Sequence, residues 1–212
     1  MIPFLPAVCM APLVVPQFIG GTNRSGSDGA LTWPSGTRVG DIGFALALSS
    51  NATPITWSGA TQLFKFANAV AGAAPRGHLM WKRLTAGDLS SPPTAAGLVL
   101  GAAFAIVYRG GQSVALKAGP TTFTGSTGTL TGFTKGGNSK KIIAMTMDRT
   151  SAAATTAASG FTRQYEQQAG SFQSSAWLDI RSNSYTNGTN INLTGMDSGF
   201  QGSGSGAALG IS

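Results

Sequence analysis

The sequence predicts an all-β protein, an antiparallel β-sandwich of jelly-roll-like type with an extended N-terminal arm. Three observations predict this fold. Short apolar runs alternate with turn residues along the 212 residues, which is typical of a sandwich or a barrel. No window sustains an apolar stripe at spacing three and four, and glycine occurs 30 times, which argues against long helices. The same order of runs and turns also appears twice, about a hundred residues apart.

This duplicated pattern consists of an apolar run, a Ser-Gly turn and a run centred on a tryptophan. Gly59 and Gly160, which belong to the two turns, are 101 positions apart. The apolar side chains keep the same phase at that offset, because Ile42, Phe44 and Leu46 fall on Ile143, Met145 and Met147. Each half alone would bury too little bulky apolar surface to be stable. We therefore expect the two copies to complete one sandwich.

The first residues predict an extended arm. Repeated prolines interrupt this apolar stretch, and because proline lacks an amide donor they argue against a membrane-spanning helix. A Gly/Ser/Asn-rich hinge is predicted at residues 20–29. We expect residues 1–30 to form arm and hinge, and residues 31–212 to form a single domain. The candidate assembly residues of the arm are Pro3, Phe4, Pro6, Pro12 and Pro16.

Within the domain, a turn is predicted at residues 33–36. Two sets of strands follow it, at residues 42–49, 61–67, 77–84 and 101–109, and at residues 141–148, 161–167, 174–181 and 206–211. The first of these strands has large side chains on one face and small ones on the other, so we expect the small face to pack closely or to lie near an interface. Long polar segments separate the later strands at residues 118–137 and 182–205, and residues 121–134 are predicted to hold a hairpin.

Charge is sparse and positive. Charged residues make up 10% of the chain, against about 25% in a typical soluble domain. Either part of the surface is buried against other copies or partners, or uncharged polar side chains cover it. The net charge of +7 could attract a polyanion. The basic residues are scattered along the sequence, however, and no recognisable nucleic-acid-binding module accompanies them, so we predict no specific nucleic-acid partner.

The reactive side chains form no catalytic or zinc-binding pattern. His78 is the single histidine and Cys9 the single cysteine, which is too few for a zinc site. We expect His78 to be a surface or interface residue. Calcium needs oxygen ligands alone, so a calcium site in the loops around Asp28, Asp148 and Asp197 stays open. We predict no enzyme activity, no cofactor and no assigned metal site.

A glycan hydrolase is the enzymatic alternative. Glycoside hydrolysis requires two carboxyl groups that face each other across the scissile bond. Glu166 and Asp179 could approach each other on adjacent strands. Their more ordinary role is an ion pair with Arg163 or Arg181.

Aromatic residues divide into two groups. Trp81 and Trp177 are flanked by strand residues and are predicted to lie in the core. Exposed aromatic rings could instead stack on sugars, and the candidate glycan-contacting residues are Trp33, Trp57, Tyr165 and Tyr185. The amide and hydroxyl side chains of residues 182–193 could also bind sugars, although such side chains more commonly satisfy loop backbone.

Several segments of the chain resemble structural proteins of tailed bacteriophages. In the pattern, a turn that ends in Gly-Asp precedes the first core strand and a Ser-Gly turn precedes the next. The segments that carry it are residues 34–42, 56–63, 79–88 and 105–110. The likeness covers residues 34–181 when the second copy is included. This chain has Ala60 and Phe161 where the pattern often has tryptophan after Ser-Gly, which weakens transfer of a packing role to that position.

The similar proteins are β-sandwich modules of tail fibres, tail tips and head appendages, and they offer no catalytic residues to transfer. The resemblance therefore implies a virion structural protein of the tail tip, baseplate or tail fibre. It implies a homo-oligomer among other virion proteins, located in the virion, with host attachment through a glycan or receptor as a candidate role. The alternatives are a head decoration or spike protein, a carbohydrate-binding module and, last, a glycan hydrolase.

Overall fold

The computed structural model describes residues 14–49, 54–66, 76–124, 127–148, 159–169, 173–194 and 203–212. In these residues the chain is an antiparallel all-β sandwich, which confirms the predicted fold class. The strands in chain order are β1 Gln17–Ser25, β2 Gly29–Ala30, β3 Ile42–Ser49, β4 Ile55–Thr56, β5 Thr61–Phe66, β6 Arg76–Arg83, β7 Thr94–Ala95, β8 Ala102–Arg109, β9 Val114–Thr124, β10 Thr127–Leu130, β11 Lys141–Asp148, β12 Thr162–Ala169, β13 Gln173–Arg181, β14 Ile191–Thr194 and β15 Ser203–Ile211.

Helical structure in the described residues is short. One α-helix, α1, spans Ala86–Ser90, and two 3-10 turns span Leu98–Leu100 and Ser182–Ser184. No described helix has the length and apolar character to cross a bilayer.

Each half of the chain builds one five-stranded sheet. The first sheet has the order β1-β8-β3-β6-β5, and the second has the order β9-β15-β11-β13-β12. When the five strands of either sheet are numbered in chain order, both sheets have the same spatial order, 1-5-2-4-3. In a jelly roll, by contrast, successive strands mostly alternate between the two sheets. The predicted sandwich is therefore confirmed, whereas the jelly-roll-like strand order is not.

The two sheets pack with the relation expected of a pseudo-twofold pair. Edge strand β1 lies against β12, and β5 lies against β9. The first strand of either half thus faces the third strand of the other half, as in the self-complementary contact of a symmetric dimer. The duplicated sequence pattern corresponds to this duplicated topology.

Side chains from both sheets form the central core. Successive residues of a strand point to opposite faces, so one phase of each central strand faces the partner sheet. Phe44 of β3 and Trp177 of β13 meet there with ring centroids 5.3 Å apart. The matched residues of the two halves, Ile42, Phe44, Leu46, Ile143, Met145 and Met147, all belong to this core.

The outer face of each large sheet is covered as well. On the first sheet, Ala45 and Ala47 lie in a cluster with Ile55 and Trp57, next to the small sheet β2-β7-β4. On the second sheet, the small sheet β10-β14 lies over an apolar cluster built around Leu178. The prediction that the small face of β3 packs closely is therefore confirmed, and every described residue of β3 is buried.

Two predictions for polar segments were wrong. Residues 17–25, expected to be arm and hinge, form edge strand β1, which pairs with β8 from Gln17 opposite Arg109 to Ser25 opposite Ala102. Residues 127–130 do not continue a hairpin with β9. They pair as β10 with β14, so the two long polar segments of the second half bind each other.

The candidate arm residues Pro3, Phe4, Pro6 and Pro12 lie outside the described residues. Pro16 is described and buried immediately before β1. A side chain added at Gly110 would come within 2.7 Å of Cγ1 of Val14. The end of the predicted arm therefore packs against the turn that follows β8.

Candidate functional site

Trp33 and Trp57, two of the candidate sugar-binding aromatics, are brought together by the fold. Their ring centroids are 5.4 Å apart and the rings are inclined by 49°. The indole of Trp33 donates to the backbone oxygen of Asp88 at 2.8 Å, and the indole of Trp57 donates to Oδ1 of Asp88 at 2.9 Å. Trp57 is buried. The pair therefore anchors helix α1 and does not present two free ring faces.

Asp88 is the centre of this anchor. Thr85 caps α1, and its backbone and hydroxyl both donate to the Asp88 carboxylate. Lys82 Nζ lies 2.8 Å from Oδ1. Burial by itself would raise the pKa of Asp88, but the hydrogen bonds from Lys82, Thr85 and Trp57 outweigh it and hold the pKa well below its usual range. Thr85 and Asp88 together form the capping box of helix α1.

Tyr165 and Tyr185 occupy different surroundings. Tyr165 is half-buried at the edge where β1 meets β12, and its hydroxyl accepts a 3.4 Å hydrogen bond from Nδ2 of Asn23. Tyr185 is buried, with its ring edge-on to Phe133 at 5.1 Å and its hydroxyl bonded to the Thr189 backbone oxygen. Tyr185 therefore does not offer a free face to a sugar.

The amide groups near Tyr185 satisfy backbone, as the commoner interpretation expects. Oδ1 of Asn187 accepts from the backbone of Lys135 at 3.1 Å. Oδ1 of Asn190 accepts from the backbone of Gly132 at 3.2 Å. These bonds hold the segment after β10 to the segment before β14.

His78 is buried, which corrects the expectation of a surface or interface histidine. It is 2% exposed and lies on the outer face of the first sheet, where Nε2 is 3.1 Å from Oε1 of Gln62. Burial lowers its pKa, and the neighbouring Lys65 lowers it further. No described carboxylate orients the ring, so the pattern of a catalytic triad is not present among the described residues.

Glu166 and Asp179, the candidate hydrolase pair, lie on opposite faces of the second sheet. Asp179 shares its face with Trp177 of the central core, whereas Glu166 lies opposite Ala176, whose side chain belongs to the outer cluster. Glu166 forms an ion pair with Arg163 at 2.5 Å, as expected. Asp179 pairs with Lys141 at 3.0 Å, which corrects the expected pairing with Arg181. The two carboxylates cannot face each other across one bond.

A buried polar cluster surrounds Asp179. Gln164 donates to its second oxygen at 3.2 Å, from a position where an irregularity in the pairing of β12 interrupts the alternation. Lys141 Nζ lies 5.9 Å from the ring centroid of Tyr108. Burial raises the pKa of Tyr108, and the charge of Asp179 raises it further. Both Asp179 oxygens have partners, so the cluster ties the end of the core together.

Described residues line three cavities that open at this same end of the sandwich. The first, of about 310 Å³, has an apolar floor at Phe161 and Ile180 and a polar rim that includes Ser184, Thr186 and Asn190. The second, of about 320 Å³, reaches Asp179 and Arg181 and shares Gly160, Ile180 and Ser184 with the first. The third, of about 460 Å³, is lined by Gln112, Gly137, Asn138, Ser139, Lys140 and Ser212.

The register of the strands shows why these cavities share one end. In the first sheet, Ile42 lies opposite both Arg83 and Tyr108. In the second, Lys141 lies opposite Arg181 and Ile211. A side chain added at Gly111 would touch both Ile211 and Ile42, so these strand termini are adjacent across the sheets. We call this surface the basic end, defined by Arg38, Arg83, Lys117, Lys135, Lys140 and Arg181.

No described metal site accompanies this surface. Among the described residues, no group of three or more His, Cys, Asp or Glu side chains is placed to hold a metal ion. Asp28, a candidate calcium ligand, accepts a hydrogen bond of 2.9 Å from the backbone N–H of Leu98. Its backbone hydrogen bonds lower its pKa. The side chain of Asp148 and residue 197 lie outside the described part.

Comparison with family models, with curated proteins and with solved structures gave no match to the chain.

Proposed function

We propose that this chain is a structural protein of a tailed-bacteriophage virion, in the tail tip, baseplate or tail fibre. The sequence resemblance over residues 34–181 carries this proposal. In that pattern, a turn that ends in Gly-Asp precedes the first core strand and a Ser-Gly turn precedes the next strand. The same two features occur in the fold as the turn before β3 and the turn before β5.

The hydrogen bonds and ion pairs of the buried carboxylates support a role as a structural scaffold. Asp41 accepts two bonds of 2.9 Å from Arg109 and one of 2.8 Å from the backbone of Arg38. Asp88 holds α1, and Asp179 holds the end of the core. Each of these buried carboxylates is bound by neighbouring groups of its own chain, an arrangement suited to fixing turns and strand ends.

Labelling of particles tests the proposal. Antibodies raised against the purified protein should bind intact virions, and immunoelectron microscopy should place the label on the tail. Size-exclusion chromatography with light scattering should show a homo-oligomer. A stable monomer together with unlabelled virions would overturn the proposal, and label on the head would select the head decoration or spike alternative.

A further inference from the structure

We propose that the basic end binds an acidic polysaccharide, a glycan chain that carries carboxylate or phosphate groups. This extends the proposed function to a partner and rests on it only for the source of the glycan. Much of the excess positive charge of the protein lies at this end. Arg38 comes from the turn before β3, and Arg83, Lys117 and Arg181 come from β6, β9 and β13. Lys135 and Lys140 come from the segment between β10 and β11, so the fold brings five separate parts of the chain to this end.

The carboxylates at this end are neutralised by other cations. Asp41 pairs with Arg109, Asp88 with Lys82, and Asp179 with Lys141. None of the six basic-end residues forms an ion pair with a described carboxylate. Counted over side chains, the surface therefore carries six positive charges that no described acid offsets, against a formal net charge of +7 for the whole chain.

The fold fixes several of these cations around the cavities. Arg83 is exposed, and its guanidinium donates to the Gly40 backbone oxygen at 3.3 Å and to Oε1 of Gln112 at 3.0 Å. Gln112 lines the third cavity together with Lys140. The aliphatic stem of Lys117 lies near Ser139, which also lines the third cavity. A side chain added at Gly210 would lie 3.0 Å from Cε of Lys117 and 2.5 Å from Oγ of Ser139.

Arg181 is exposed beside the second cavity. The side chain of Lys135 is held in place nearby, because its Nζ donates to the backbone oxygens of Ser182 at 2.7 Å and Tyr185 at 3.2 Å. Cations that are held in place bind an anion with a smaller loss of side-chain entropy than free ones. The cluster is therefore prepared for a ligand with several negative groups.

The surroundings favour a polysaccharide over a nucleic acid. The hydroxyls and amides of Ser184, Thr186 and Asn190 line a cavity next to Arg181, and a glycan needs many such hydrogen-bonding groups. Proteins that bind single-stranded nucleic acid offer aromatic rings on which bases stack. The described rings beside the first cavity are engaged with each other instead, with Phe161 edge-on to Tyr185 at 6.3 Å.

Binding assays with defined probes test this proposal. Hyaluronan serves as the carboxylate-bearing glycan, dextran as the neutral glycan and a DNA duplex as the competing polyanion, each measured by biolayer interferometry against the full chain. We expect hyaluronan to bind, dextran not to bind, and DNA to bind more weakly than hyaluronan. Raising the salt from about 50 to 200 mM should weaken hyaluronan binding, because exposed charges are screened over about 10 Å at 0.1 M.

A matched pair of double variants distinguishes binding at the basic end from a general effect of the protein's net charge. Lys140→Gln with Arg181→Gln should weaken hyaluronan binding by about three- to thirtyfold, as expected for two surface charge contacts, one half-buried and one exposed. Lys65→Gln with Arg76→Gln removes the same charge from positions that pair with His78 and Ser49, toward the end of β6 opposite Arg83. This control should change binding less than twofold. Circular dichroism confirms that both variants fold.

Three results would overturn the proposal: no hyaluronan binding, equal losses in the two double variants, or tighter binding to DNA. The last result would instead identify a nucleic-acid partner. Each of them leaves the labelling of virions unaffected, so failure of the glycan proposal and failure of the virion proposal are distinguishable.

Discussion

Phe44 and Trp177 pack against each other across the two sheets, with ring centroids 5.3 Å apart and planes inclined by 54°. Phe44 comes from the first copy of the duplicated pattern and Trp177 from the second. Both are fully buried. The contact therefore joins the two halves of the chain at the centre of the core.

Replacement of Phe44 by alanine tests how far the halves depend on each other. We expect Phe44→Ala to lower the free energy of unfolding by about 3–5 kcal/mol, because it removes buried apolar surface and leaves a cavity. Val39→Ala, at a position 60% exposed, should change it by less than about 0.5 kcal/mol. Urea unfolding followed by tryptophan fluorescence and by circular dichroism should give one coincident transition. Separate transitions for the two probes would show that the halves fold independently.

Asp88 should make stability depend on acid pH. Its folded pKa lies below the unfolded value of about 3.9, so its contribution is present above that value and is lost as the pH falls toward the folded pKa. Asp88→Asn should cost about 1–3 kcal/mol at pH 7, because charged hydrogen bonds to Lys82 and Thr85 disappear. The difference between the two proteins should shrink from pH 5 to pH 2. A constant difference in urea titrations over that range would contradict this assignment.

Glu166→Gln is the control for this experiment. Glu166 also has an ion-pair partner, but the Arg163 side chain is 44% exposed. Solvent-exposed pairs contribute about 0–1 kcal/mol. We expect little change in stability at any pH between 2 and 7 relative to the effect at Asp88.

Gly21 allows a close approach of the two sheets at their β1 and β12 edge. A Cβ atom there would lie 2.4 Å from Cδ2 of Tyr165 and 2.7 Å from Cδ1 of Ile106. We expect Gly21→Ala to lower stability by about 1–3 kcal/mol through overpacking. Gly137→Ala is the matched control, since nothing lies within 4 Å of its added Cβ, and its melting temperature should stay near that of the parent. Equal effects of the two substitutions would show that the contact with Tyr165 is not limiting.

The Lys141–Asp179 pair should show strong coupling. Lys141→Met leaves the Asp179 carboxylate buried with a hydrogen bond from Gln164 but no cation, and we expect a cost of about 3–5 kcal/mol. Adding Asp179→Leu should restore much of that loss, because replacement of both charges removes the uncompensated group. Chemical denaturation of both single variants and the double variant measures the coupling. Additive losses would exclude a direct interaction.

The sequence by itself determined the strands and the phase of their side chains. Residues 42–49 and 141–148 were predicted as strands and coincide with β3 and β11. Alternation within a strand is a local property, because neighbouring side chains point to opposite faces of any sheet. The burial of Trp177 was predicted from the strand residues that flank it. The bond from the Arg38 backbone to Asp41 and the cap between Thr85 and Asp88 are local, because each joins residues three positions apart.

Tertiary structure decided which strands meet and which charges gather. The pairing of β10 with β14, the small sheets over both outer faces and the burial of His78 depend on contacts between distant residues, for which a single sequence carries no local signal. The 14 basic residues are scattered along the chain, but the fold brings six of them to one end. They collect at one end because the strand termini of both sheets lie together there, whereas the acids at that end are bound in ion pairs.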